Sequence, residues 1–116
     1  MMIEKNFNII ENKLLYNGKQ VVTTKSVIEF FLVVSEYELI IVLVNAAKLK
    51  SDRNIFCYGF DEELKWQIPE PDKLHNDNYY TSIYLSDGNL SAYNINGVEV
   101  TIDKHNGRIL NKQLIK

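Results

Sequence analysis

Apolar and polar residues alternate cleanly in one place, Val98 to Ile102, where Val98, Val100 and Ile102 fall on one side and Glu99 and Thr101 on the other. Period two is the mark of a strand with one buried face. The segments around it have the same size and character: 79–85, 89–95, 98–103 and 108–114, separated by Asp87-Gly88, Asn96-Gly97 and Asn106-Gly107. Asn-Gly and Asp-Gly suit two-residue type I′ turns, whose central residues both need φ > 0. The second half therefore predicts a meander of four antiparallel strands. Near the N-terminus, Lys13–Tyr16 and Lys19–Thr23 flank Asn17-Gly18 and predict a hairpin, with Phe7–Ile10 as a short strand before it.

The middle of the chain is different. Residues 27–34 and 38–44 are nearly continuous apolar runs, rich in Val, Ile and Phe, with the polar Ser35-Glu36-Tyr37 between them. Runs of that length fit strands covered on both faces, and they read as two central strands. A single buried helix over 28–43 is the competing reading, disfavoured by β-branching and by the polar break. Residues 45–53 predict an exposed loop, 54–58 and 64–68 two more strands. Pro69 and Pro71 end pairing, so that 69–78 reads as a linker.

The two halves resemble one another. Phe56 to Trp66 precedes Val100 to Leu110 by about 44 residues, and both pass from an apolar strand through an acidic turn into a second strand. This sets Trp66 against Leu110 and Glu63 against the turn glycine, Gly107. The stretch Ile102-Asp103-Lys104-His105-Asn106-Gly107-Arg108-Ile109-Leu110 resembles the end of a pyrroloquinoline-quinone-type propeller repeat, and Asp61–Pro69 is a poorer copy. The resemblance implies blade-like sheets. Two blades cannot surround a pore, so it carries no quinone site and no cofactor. The expected architecture is all-β: two four-stranded antiparallel meanders (27–68 and 79–116) packed as a sandwich about 10 Å apart, plus an N-terminal β-hairpin (7–24) on one edge. All of this forms one domain, 1–116. In length and layout the chain is also similar to small, stand-alone proteins of low-GC bacteria, some of which act as immunity proteins beside toxins.

Composition narrows the function. The 116 residues are 46% hydrophobic and 24% charged, ordinary for a globular domain. A net charge of −2 argues against nucleic acid as a partner. One cysteine excludes an internal disulfide. The start of the chain has no apolar signal segment, and 39–47 is about half a membrane span. The expectation is a cytoplasmic bacterial protein with no membrane partner.

Candidate chemistry is sparse. Cys57 lies mid-strand among apolar residues and reads as a buried structural thiol. His75 and His105 sit in predicted turns without metal-ligand spacing, so no metal site is expected. Asp103 is placed to bond turn amides. No phosphate loop or nucleophile motif is present, and the chain is expected not to be an enzyme. What remains is an acidic, tyrosine-flanked middle: Asp61, Glu62, Glu63, Glu70, Asp72, Asp77, Tyr79 and Tyr80 form the candidate partner surface. Tyr84 clusters with Tyr79 and Tyr80 at the start of the second half, Tyr37 and Tyr93 lie elsewhere, and packing in the core is the competing role for the tyrosines. The leading function is a non-catalytic module that binds another protein, of immunity or inhibitor type. The alternative is a propeller fragment that homo-oligomerises and binds a small ligand at a shared axis. The irregular connections, 45–53 and Glu62-Glu63, are the places to look first, because loops free of turn duty carry function.

Overall fold

A computed structural model describes residues 4–70 and 77–115. Three antiparallel meanders follow one another along the chain. The first sheet holds β1 (Phe7–Ile10), β2 (Lys13–Tyr16) and β3 (Lys19–Thr23) in the order β1-β2-β3. The second holds β4 (Ile28–Val34), β5 (Leu39–Val44), β6 (Ile55–Gly59) and β7 (Leu64–Gln67) in the order β4-β5-β6-β7. The third holds β8 (Tyr80–Ser86), β9 (Asn89–Asn94), β10 (Val98–Ile102) and β11 (Ile109–Leu114) in sequence order. A one-turn helix, α1 (Ala46–Leu49), interrupts the loop after β5.

The apolar runs of the middle are strands, not a helix. Six residues of β5, Leu39 to Val44, are all buried, because β5 is an interior strand with a core on each side. Leu39, Ile41 and Leu43 enter one cluster with Ile55, Cys57 and Trp66, packed against Ile83, Leu90, Ala92, Val100 and Ile102 of the third sheet. Ile40, Val42 and Val44 enter the other, with Phe56 and with Leu14, Val21 and Val22 of the first sheet. The other apolar run, β4, is an edge strand, so the expectation of two central strands holds for β5 alone.

The N-terminal unit departs from expectation in its place. It is a three-stranded sheet stacked on the face of the second, not a hairpin extending its edge. Leu14 and Val22 lie opposite one another, and with Ile9 and Phe7 they form an apolar face that the second sheet covers. The result is three layers where two were expected.

Turn chemistry follows the glycines in part. Asn17/Gly18 and Asp87/Gly88 both have positive φ at each residue, as a type I′ turn requires. At 96–97 and 106–107 only the glycine is left-handed, and the connections are longer. In the β6–β7 turn the left-handed residue is Glu62 (φ 72°), not Glu63, so Glu62 is the counterpart of Gly107.

Register makes the repeat plain. Glu29 in β4 and Thr81 in β8 are each the extra residue of a bulge, as are Lys65 in β7 and Leu110 in β11. Aligning the bulges matches Trp66 with Asn111 and moves Leu110 to Lys65, one residue from the match drawn on sequence. Leu32, Ile41, Leu43, Ile55 and Cys57, which face the third sheet, then correspond to Tyr84, Ser91, Tyr93, Glu99 and Thr101. The backbone plan repeats, but the outer face of the third sheet is polar. Tyr84 stacks on Tyr93, with centroids 5.7 Å apart, and its hydroxyl donates to Glu99. A polar outer face is how stacked repeats end.

Candidate functional site

The acidic residues proposed from sequence do not form one patch. Asp61, Glu62 and Glu63 cap the C-terminal end of β6. Glu70 follows Ile68, whose N–H bonds Ile55 at the N-terminal end of β6, so the two acidic groups lie at opposite ends of the sheet. Asp72 and His75 lie outside the described residues.

The Asp61 group is occupied locally. One carboxylate oxygen of Asp61 accepts from the Glu63 N–H (3.1 Å) and the other from Lys65 Nζ (3.2 Å). The backbone N–H of Glu63, then the Lys65 ammonium, hold the Asp61 carboxyl below its ordinary value, and Lys65 is shifted up in return. Lys65 also reaches Glu63 at 3.6 Å. This is turn chemistry on an exposed surface. Asp103 does the same in the β10–β11 turn, accepting from the His105 N–H at 2.8 Å. His105 itself packs edge-on against Tyr37, with ring centroids 4.5 Å apart.

Glu70, Asp77, Tyr79 and Tyr80 come together at the other end. They line a cleft of ≈ 800 Å³ with Glu29 and with Asn45, Ala46, Ala47, Lys50, Ser51 and Asp52 of the irregular loop after β5. That loop is shaped by its own residues. Asn45 caps α1 by accepting from the Lys48 N–H (2.9 Å), and its amide donates to Glu29 (3.0 Å). Lys50 leaves the helix in the left-handed conformation. Asp52 accepts from the Asn78 N–H at 3.1 Å, and Asn96 donates to the Asp77 carbonyl (2.7 Å) and the Asn78 side chain (2.8 Å). The Asn96-Gly97 turn therefore helps to hold the cleft wall.

Among the described residues lining the cleft, Glu29, Asp52, Glu70 and Asp77 carry carboxylates and Lys50 alone carries an ammonium. Among the described residues, neither Glu70 nor Asp77 has a side-chain hydrogen bond or ion pair. A cleft with this balance favours a cation, and Tyr79 on its wall offers a ring to an ammonium or guanidinium.

Beneath the cleft, Asn54 joins the second sheet to the third. Its side chain is 1% exposed, donates to the carbonyls of Val44 (3.0 Å) and Tyr80 (2.8 Å), and accepts from the Tyr80 N–H (2.9 Å). Sequence reasoning placed Asn54 at the start of a strand and missed this role, as it missed Glu29 and Asp52. A polar amide opening an otherwise apolar strand, Asn54-Ile55-Phe56-Cys57, was the available signal.

Cys57 is fully buried, and burial pushes its thiol up to about 12. Burial does the same to the Tyr80 phenol, also to about 12, and raises Tyr58. The sign of the resulting pH effect follows from proton binding. Above the ordinary thiol value of 9.0 and the phenol value of 10.0 the unfolded chain loses protons that the folded chain keeps. Stability from these groups is therefore intact below pH 9 and falls as pH rises toward 12, by up to about 1.4 kcal/mol per pH unit for each group. Urea midpoints measured from pH 8 to 11 should be level at first and then decline. A midpoint unchanged at pH 11 would refute the assignment.

With the geometry in view, the relatives can be placed. The sequence matches a domain of unknown function, DUF7957, over residues 4–114. The chain belongs to the DUF7957 family. No curated protein matches it significantly. Among solved structures, the DUF7957 chain is similar to the WD40 β-propeller domain of Doa1, with a TM-score of 0.60 and 14% identity. That match covers 95% of this chain and 37% of the propeller. The computationally designed Ika8 protein aligns over 97% of this chain and 47% of its own, at 10% identity and a TM-score of 0.44. The propeller likeness concerns fold: the three stacked sheets are blade-like, and the chain spans little more than a third of the ring it resembles. Among the described residues, no helix is long and apolar enough to cross a membrane.

Proposed function

We propose that this DUF7957 chain is a non-catalytic protein-binding module whose cleft receives a basic side chain or basic segment of its partner. The observation that carries the reading is the cleft itself. Among the described residues, the side chains of Glu70 and Asp77 have no hydrogen-bond or ion-pair partner; they stand beside Glu29, Asp52 and Tyr79, on a wall braced by Asn54, Asn78 and Asn96. Four carboxylates around one opening speed encounter with a basic surface and favour it over acidic competitors. The propeller-like fold supports a binding role at a coarse level, since such stacks present loops at the ends of a rigid scaffold. An inhibitor of immunity type, which masks a basic active surface on a toxin, is the finer form of this proposal.

The test compares wild type with the Glu70→Gln/Asp77→Asn variant as immobilised baits for extracts of the source cells. Wild type should retain a protein that the variant retains at least 10-fold less, and that 0.5 M salt releases, since exposed charges are screened within about 4 Å at such concentrations. For the inhibitor form, wild type should titrate the captured protein's activity at one-to-one stoichiometry. Equal capture by both baits, or no capture, would overturn the reading. The alternative of a homo-oligomeric ring with a shared-axis ligand draws no support from the third sheet, whose outer face is polar where another blade would need an apolar one.

A further inference from the structure

The three sheets follow one plan, and the first is a strand short of it. Val21 is the bulged residue of β3, as Lys65 is of β7. Aligning them matches β1 with β5, so that Phe7 answers Leu39 and Ile9 answers Ile41. In the second sheet Leu39 and Ile41 pair with Val34 and Leu32 of β4. Among the described residues no strand pairs with that side of β1.

The hydrogen-bond phase of β1 is set by the Asn17 N–H, which donates to the Asn6 carbonyl at 3.1 Å. Bonded and non-bonded pairs alternate along an antiparallel ladder. Asn8 and Ile10 therefore bond to Leu15 and Lys13 of β2. The Ile9 N–H and C=O and the Phe7 C=O point the other way, toward the open edge. The side chains of Phe7 and Ile9 are half-buried on the face toward the second sheet, where the Phe7 ring lies 5.2 Å from that of Phe31. Strand edges are commonly protected by charge, proline or a bulge. Phe7-Asn8-Ile9-Ile10 has none of these.

We propose that β1 is a docking edge, and that an extended segment of a partner protein adds there, antiparallel to β1, as the fourth strand of the first sheet. The position dictates the chemistry of the segment: apolar residues two apart, opposite Phe7 and Ile9, as Val34 and Leu32 stand opposite Leu39 and Ile41. The residue between them faces outward and is free to be polar. A four-residue edge offers far less than the roughly 1,200 Å² that a stable protein pair buries. It therefore suits a linear segment better than a second folded copy. This surface is separate from the acidic cleft, and neither depends on the other.

The probe is a synthetic peptide carrying the sequence of Ile28–Val34 between lysine tails, and the readout is amide exchange by NMR. In the free protein the Ile9 amide should exchange at least 10-fold faster than those of Asn8 and Ile10. Saturating peptide should slow it at least 10-fold and leave the edges of β4 and β8 unchanged. The same peptide N-methylated at alternate residues should lose that protection. Ile9→Pro should weaken binding at least 10-fold while sparing the β1–β2 ladder, which does not use that N–H. An Ile9 amide already slow in the free protein would overturn the proposal. So would protection on β4 or β8, undiminished binding of the N-methylated peptide, or protection that grows with protein concentration alongside a sedimenting dimer.

Discussion

Asn54→Ala is expected to cost this protein about 3–5 kcal/mol, although it removes no charge and few apolar atoms. The side chain uses both amide hydrogens and its oxygen on backbone groups of two sheets: the carbonyls of Val44 and Tyr80 and the N–H of Tyr80. Alanine leaves all three without that partner inside a region where Asn54 is 1% exposed. An unsatisfied buried polar group costs about 1–3 kcal/mol, and the Tyr80 N–H has only one bond to make. Asn54→Asp should do no better, since a carboxylate would face the two carbonyls that now accept from the amide. The expected fall in melting temperature exceeds about 10 °C. The cleft should suffer with it, because Tyr79 and Tyr80 form its wall. A loss below 1 kcal/mol would show that the bridge between the sheets lies elsewhere.

The second large effect concerns Trp66. Its indole closes the seam between the second sheet and the last turn of the third: Nε1–H donates to the Lys104 carbonyl at 2.6 Å, and the ring lies under Gly107. A Cβ on Gly107 would come within 2.6 Å of the ring, and Gly107 has φ +78°. Trp66→Ala should therefore cost about 3–5 kcal/mol. Gly107→Ala adds left-handed strain of about 1–2 kcal/mol to an overpacking cost of about 1–3 kcal/mol. The pair is informative together. With Trp66 already alanine, Gly107→Ala should cost only the backbone part, leaving a coupling of about 1–3 kcal/mol in a double-mutant cycle. Additive losses would mean that the glycine serves the turn alone.

These two positions also show where reading the chain succeeded and where it stopped. Trp66 and Gly107 were both singled out in the repeat, but matching by residue type set Trp66 against Leu110. Bulges decide the true match, and a bulge is a property of pairing that one strand does not display. The candidate surface shared the same limit. Glu70, Asp77, Tyr79 and Tyr80 do line one cleft, together with residues of the loop 45–53. Asp61, Glu62 and Glu63 are near in sequence but one strand length away in space, because β6 and β7 run between the two groups. Glu29 and Asp52 were passed over, since nothing local distinguishes a carboxylate at a cleft from one in water.

By itself the sequence determined that this is an antiparallel β protein, where most strands begin and end, and which glycine pairs turn them. Those are local matters: side-chain period, β-branching and the φ each turn residue tolerates. Only the tertiary structure decided that the N-terminal strands stack as a third layer, that Asn54 and Trp66 hold the layers together, and that the acidic residues divide between two ends. Burying an apolar face requires a partner face but does not name it. The choice among partners rests on register, shape and hydrogen bonds made across the whole chain.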